Sequence, residues 1–159
     1  EDLQAALAQI CSEHRRFRLG AMAVTALVEP GAVEGFVALT PSAPPPDLGQ
    51  LERTIVTRLD FFRRPLTDDE RERRRPERLS QRQRDQLDLY GYPFVLEDFC
   101  FHMTFTGATR EAPAIADALA DEMAARLGTV DLTIDQLCLL RQAGPGRPFR
   151  IVGRHALRN

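Results

Sequence analysis

An α+β fold with antiparallel sheets follows from three features of the 159-residue sequence. Stretches with apolar residues at helical spacing are interspersed with stretches of period two, the mark of half-buried strands. Two pairs of strands are joined by tight turns, Glu29-Pro30-Gly31 and Gly144-Pro145-Gly146, which makes them hairpins rather than crossovers. The order reads α-β-β-α-(excursion)-β-α-β-β. The closing β-α-β-β block matches the opening of the chain except for its leading strand. A strand upstream of Glu1 is therefore expected, completing two pseudo-symmetric β-α-β-β halves.

Residues 2–13 predict a helix with Leu3, Ala6, Leu7 and Ile10 on one side. Phe17 to Val28 reads as one strand, and Gly35 to Thr40 as a second, short and apolar. Pro41 to Pro46 is a connector that cannot be strand interior. Asp47 is the expected N-cap of a helix over 48–62, whose Leu48, Leu51, Ile55, Leu59 and Phe62 share a face. An arginine-rich excursion spans 63–92. Thr67-x-x-Glu70 and Ser80-x-x-Gln83 are capping-box patterns that open two short helices in it, and Pro76 separates them. Its arginines interleave with acidic residues, so the expected reading is a solvated helical rim with mixed charge rather than a grip on RNA.

The stretch Phe99 to Gly107 alternates strictly. Phe99, Phe101, Met103 and Phe105 point one way, and Cys100, His102, Thr104 and Thr106 the other. An aromatic face belongs on a core. The opposite face carries an imidazole and hydroxyls where a solvent face would carry charges. His102 can exchange a proton near neutral pH, and the Thr104 hydroxyl on the same side can hold a phosphoryl oxygen. The alternative is a partly buried histidine among threonines chosen for strand propensity. Tyr90 and Tyr92, at the lip of this strand, either contact a ligand or cap the core with wet hydroxyls. After it, Thr109 is expected to cap a helix to Leu127 with Ile115, Leu119, Met123 and Leu127 as its buried stripe, stopped by Gly128. A strand from Val130 through Leu140 and a last strand, Phe149 to Leu157, complete the chain.

Composition limits the function classes. The chain is 43% hydrophobic and 28% charged with a net charge of −2, ordinary for a globular domain and too weak a field to seek nucleic acid. All 21 basic residues are arginine. The absence of lysine excludes Schiff-base chemistry and a Walker-type phosphate loop within this stretch. Cys11, Cys100 and Cys138 lie far apart without a Cys-x-x-Cys, so neither a disulfide framework nor a zinc site is expected, and a reducing cytosol fits. No apolar run reaches membrane-spanning length.

Taken together, Tyr90-Gly91-Tyr92-Pro93-Phe94-Val95-Leu96, Phe101-His102-Met103-Thr104-Phe105-Thr106-Gly107, the arginine-rich excursion and the ending Pro148-Phe149-Arg150-Ile151 resemble the two-histidine phosphoesterase superfamily, which includes the LigT-like RNA ligase/cyclic phosphodiesterases. The likeness is closest to a branch of unknown function from phosphonate-utilisation operons, and it covers most of the chain. It implies a single two-lobed domain over 1–159, incomplete at its N-terminus, with helices on the outer faces of its sheets. It also implies two His-x-Thr/Ser motifs facing each other across a cleft. His102-Met103-Thr104 fits the second motif; His14 and His155 fit neither, so the first is expected upstream of Glu1.

The implied activity is metal-independent hydrolysis of a small cyclic phosphodiester, a phosphorylated ribose cyclic phosphate from phosphonate breakdown. In that reading His102 is general acid or base, Thr104 is the phosphate ligand and Tyr92 binds substrate, with no metal and no cofactor. The other implied readings are RNA end processing of 2′,3′-cyclic phosphates and a nucleotide-binding module without chemistry. The expected partner is a small phosphorylated substrate in the cytoplasm, with neither nucleic acid nor membrane.

Overall fold

Local signals decide most of the elements, and long-range hydrogen bonds decide where they stop. The structure, a computed structural model, describes residues 2–29, 31–127 and 132–159, without the side chains of residues 126 and 127. In chain order the elements are α1 (Leu3–Glu13), β1 (Phe17–Arg18), β2 (Met22–Val28), β3 (Gly35–Pro41), α2 (Pro46–Leu59), α3 (Asp68–Glu72), α4 (Gln81–Tyr90), β4 (Met103–Thr104), α5 (Ala112–Leu127), β5 (Thr133–Ile134), β6 (Gln136–Gln142) and β7 (Phe149–Ala156). The α+β class and the antiparallel sheets are as expected: β2 pairs with β3, β3 with β4, and β6 with β7, all antiparallel.

The chain divides into two compact units, and each is assembled from segments far apart in sequence. The first comprises Glu1–Phe17, Pro46–Cys100 and Ile134–Asn159. In it α1 packs on the β6–β7 hairpin and on α2. Asp2 caps α1 by accepting the N–H of Gln4 at 3.0 Å, and the helix buries Ala6, Leu7, Ile10 and Cys11. Ile10, Cys11, Leu51 and Leu157 form the core, with Phe17, Ile55, Leu59, Ile134 and Leu137 against it. Burial holds the Cys11 thiol above its usual pKa, so it stays a neutral wall group.

The excursion belongs to this unit, and its two predicted capping boxes are both present. Thr67 accepts the N–H of Glu70 while the Glu70 carboxylate accepts the N–H of Thr67, and Ser80 and Gln83 do the same. Arg64 donates two hydrogen bonds to Glu70, which with the cap holds the Glu70 carboxyl down at about 2. Arg71 pairs with Asp88 and Arg82 with Asp98, so much of the excursion's charge is satisfied internally.

The second unit comprises Arg18–Pro45 and Phe101–Thr133. Its three-stranded sheet, in the order β2-β3-β4, is covered on one face by α5. Val24 and Ala26 from β2 and Val37 from β3 meet Ala112, Ala116, Ile115 and Leu119 of the helix. Each fully buried Val or Leu of such a face contributes on the order of 1.5–3 kcal/mol.

Several boundaries correct the expectations. The strand over 17–28 is two strands, broken where Gly20 turns through φ 74°, a conformation that a side chain disfavours. Asp47 is not the N-cap of α2. The helix starts two residues earlier than expected, at Pro46, and Asp47 lies in its first turn, where a carboxylate suits the positive end of the helix dipole. Phe62 lies beyond α2 in a 3-10 turn, Asp60–Phe62. Helix α5 begins at Ala112 rather than after Thr109, because Gly35 and Thr109 exchange both backbone hydrogen bonds and hold Thr109 as a bridge partner of the sheet. Its innermost residues are Ala112 and Ala116, so the helix approaches the sheet closely through small side chains. The strand expected over 130–140 is interrupted at Asp135, where the carbonyl turns to accept the N–H of Leu157. Pro30, Gly128 and Val130, and the side chain of Leu127, lie outside the described residues.

Candidate functional site

The alternation of Phe99 to Gly107 survives to Thr104 and then inverts. Phe99, Phe101 and Met103 are half-buried, while Cys100, His102 and Thr104 are exposed. The regular strand is only β4, with Met103 opposite Leu39 and Thr104 opposite Ala38. Beyond it the carbonyl of Val37 accepts from both Phe105 (2.8 Å) and Thr106 (3.4 Å). Two residues stand against one, as in a β-bulge, and the inserted residue reverses the faces. Phe105 is therefore 45% exposed rather than in the core. Thr106 turns inward, where its hydroxyl accepts the N–H of Val37 at 3.1 Å and donates to the carbonyl of Gly107 at 2.9 Å. Thr106 is a backbone clamp and not part of the polar face.

His102 and Thr104 are together on the sheet face opposite α5. The register places Thr25, Ala38 and Thr104 in one row across β2, β3 and β4. Thr40, two residues along β3 from Ala38, shares a hydrogen bond of 2.8 Å with Thr25. The His102 ring lies 5.3 Å from the Phe36 ring, tilted by 51°. Around the small Ala38, this face thus presents an imidazole, a ring against it and three threonine hydroxyls, groups able to donate to the oxygens of a phosphate ester. The sequence reading found His102 and Thr104 and missed Thr25, Thr40 and Phe36. The available signal was a threonine in each of two otherwise apolar strands; their meeting depends on the register.

Tyr92 belongs to the other unit and is 38% exposed. The Arg74 guanidinium sits 4.8 Å from its ring centroid, and Phe94 meets it edge-on at 5.7 Å. Its ring is therefore held by a cation–π contact and an aromatic neighbour. Cys100 is exposed and belongs to the same unit as Tyr92. His14 donates to or accepts from the Thr54 hydroxyl at 3.1 Å at the end of α1, a structural contact. His155 packs beside Gly153, and its Nε2 is buried. Among the described residues no group of three or more His, Cys, Asp and Glu side chains could hold a metal ion. Nor, among them, is any helix long and apolar enough to cross a membrane.

Residues 1–150 match the family described as "Protein of unknown function (DUF1045)". The chain belongs to the DUF1045 family. It is also similar to a protein of Janthinobacterium sp. (strain Marseille) named ribose 1,5-bisphosphate phosphokinase PhnN, with 39% identity over 119 residues. That match takes in 72% of this chain and 26% of the relative, so the DUF1045 chain spans about a quarter of the relative's length. No solved structure matches. The relative's name is that of a kinase, a transferase rather than a hydrolase. This overturns the expected hydrolysis of a cyclic phosphodiester, the RNA end processing set beside it, and the view of the protein as a cyclic phosphodiesterase.

Proposed function

We propose that this DUF1045 chain recognises a small phosphorylated ribose and presents it for phosphoryl-transfer chemistry within phosphonate breakdown. The observation that carries the reading is the sheet face holding His102 and Thr104 two residues apart and exposed, with Thr25 and Thr40 alongside. A named ribose bisphosphate kinase among its relatives supplies the substrate class. This stretch has no lysine, so its part in such chemistry is not a lysine-bearing phosphate loop for a nucleotide donor. What its face offers is hydroxyls and an imidazole for the phosphate of the acceptor. Tyr92 as a substrate contact is a separate proposal, made of the first unit alone, where Arg74 and Phe94 hold its ring.

The two-lobed, pseudo-symmetric LigT-like architecture over 1–159 is also proposed. Its support is that each unit contains one long antiparallel hairpin covered by a helix, α1 on β6–β7 and α5 on β2–β3.

The test of function is equilibrium binding of ribose 5-phosphate. The parent chain is expected to bind it, and His102→Ala and Thr104→Val to weaken it by roughly 10-fold or more each, as for a lost hydrogen bond to a charged group. Both side chains are exposed, so both variants should melt with the parent. Equal affinity in all three proteins would remove the reading.

A further inference from the structure

The end of the β6–β7 hairpin carries a concentration of positive charge that the sheet face does not use. From Gln136 to Asn159 the sequence has five arginines (Arg141, Arg147, Arg150, Arg154 and Arg158) and no Asp or Glu, in a chain whose net charge is −2. The hairpin register sets Arg141 directly opposite Arg150. Such cross-strand neighbours have their Cβ atoms about 5 Å apart, and like charges there are destabilising. Arg147 adds a third charge from the turn. Elsewhere Arg53, Arg58, Arg64 and Arg82 each meet a carboxylate at 2.5–2.7 Å. Among the described residues, Arg141, Arg147 and Arg150 form no ion pair.

These three arginines, with Ala143, Pro148 and Val152, line a cleft of about 510 Å³. That is the size range of small-molecule sites. The turn that shapes it is held in place. The Gln142 side chain donates to the carbonyl of Arg147 at 2.8 Å, Arg147 N–H donates to Gly144 at 3.1 Å, and Gly146 takes φ 73°. The guanidinium groups are thus mounted on a fixed backbone beside an apolar wall.

We propose that this cleft is a binding site for a small diphosphate ester. Adjacent guanidinium forks suit adjacent phosphoryl groups, each fork donating paired hydrogen bonds. The wall of Ala143, Pro148 and Val152 suits the apolar side of the esterified group. A bound diphosphate also supplies the counter-charge that the Arg141–Arg150 pair lacks. The site lies wholly in the first unit and does not rest on the role proposed for His102.

The test is calorimetric titration of the full chain with ADP as the ester, inorganic pyrophosphate as the bare diphosphate and ribose 5-phosphate as the monoester. ADP is expected to bind most tightly of the three at this cleft. Arg141→Gln and Arg150→Gln are each expected to weaken ADP by roughly 10- to 100-fold, the loss of a charge-assisted bond. Arg154→Gln removes the same charge outside the cleft and should leave ADP affinity near the parent value. Without ligand, the Arg141 and Arg150 variants should melt at or above the parent temperature, because a like-charge pair has been relieved. Absence of ADP binding would overturn the proposal, as would pyrophosphate binding as tightly as ADP, ribose 5-phosphate binding as tightly as ADP with the same loss in Arg141→Gln and Arg150→Gln, or an equal loss in Arg154→Gln. Ribose 5-phosphate binding that the Arg141 and Arg150 variants leave unchanged belongs to the sheet face of the second unit. Displacement of ADP by single-stranded RNA, with a steep salt slope, would assign the charge to nucleic acid instead.

Discussion

Glu52 is a carboxylate of the first unit held against the cost of burial. One carboxylate oxygen accepts the N–H of Leu96 at 3.0 Å, and Leu96 holds a left-handed φ of 55°. The other oxygen is buried and, among the described residues, has no hydrogen-bond partner. Burial raises the pKa of this carboxyl above 4.5, and the bond from Leu96 only partly opposes it. A raised folded pKa gives stability that is full below the unfolded value and is lost as pH rises through the folded value. At neutral pH, well above the unfolded value, the raised pKa therefore costs stability. Glu52→Gln keeps an acceptor for Leu96 and removes the charge. Its melting temperature should exceed the parent's at pH 7, and the gap should shrink as pH falls to about 4, below the unfolded carboxyl pKa. A variant that melts lower at both pH values would mean the charge itself is needed. The sequence hinted at none of this, because Glu52 sits in α2 like any helical glutamate and its burial comes from a segment 44 residues on.

Elements whose signals are local were legible, and those ended by distant groups were not. Thr67-x-x-Glu70 and Ser80-x-x-Gln83 need only their own four residues, and both boxes form. The His102 segment reads correctly as far as Thr104, because alternation is a local property. It fails at Phe105, because the bulge is made by Val37, 68 residues away by chain number from Phe105. Thr106 stabilises that bulge. Replacing it with Val keeps the shape and leaves the Val37 N–H without its acceptor, in a residue that is 0% exposed. Thr106→Val should therefore lose about 1–3 kcal/mol in denaturant unfolding, the penalty for a buried unsatisfied donor. Thr106→Ser should recover most of it. If the Val variant is as stable as the parent, the hydroxyl contributes nothing and the inversion of faces has another origin.

At the scale of the molecule, the sequence halves and the structural units differ. Reading along the chain pairs α1 with the hairpin that follows it, β2–β3. The structure instead packs α1 on β6–β7, which lies more than 120 residues later, and packs α5 on β2–β3. Apolar periodicity says that a helix has a buried face and says nothing about what covers it. The pairing is set by which surfaces complement each other, such as the small Ala112 and Ala116 that let α5 lie close on Val37. The exchanged arrangement predicts where damage to α1 is felt. Ile10 is fully buried and shares its core with Leu157, just beyond β7, and with Leu137 on β6. Ile10→Ala should cost about 2–5 kcal/mol through the cavity it leaves. Amide hydrogen exchange should place the loss of protection in 136–156, with 22–41 less affected despite being closer in sequence. Equal loss in both hairpins would mean that the chain opens as a single cooperative unit. Loss confined to 22–41 would mean that α1 packs on its sequence neighbour after all.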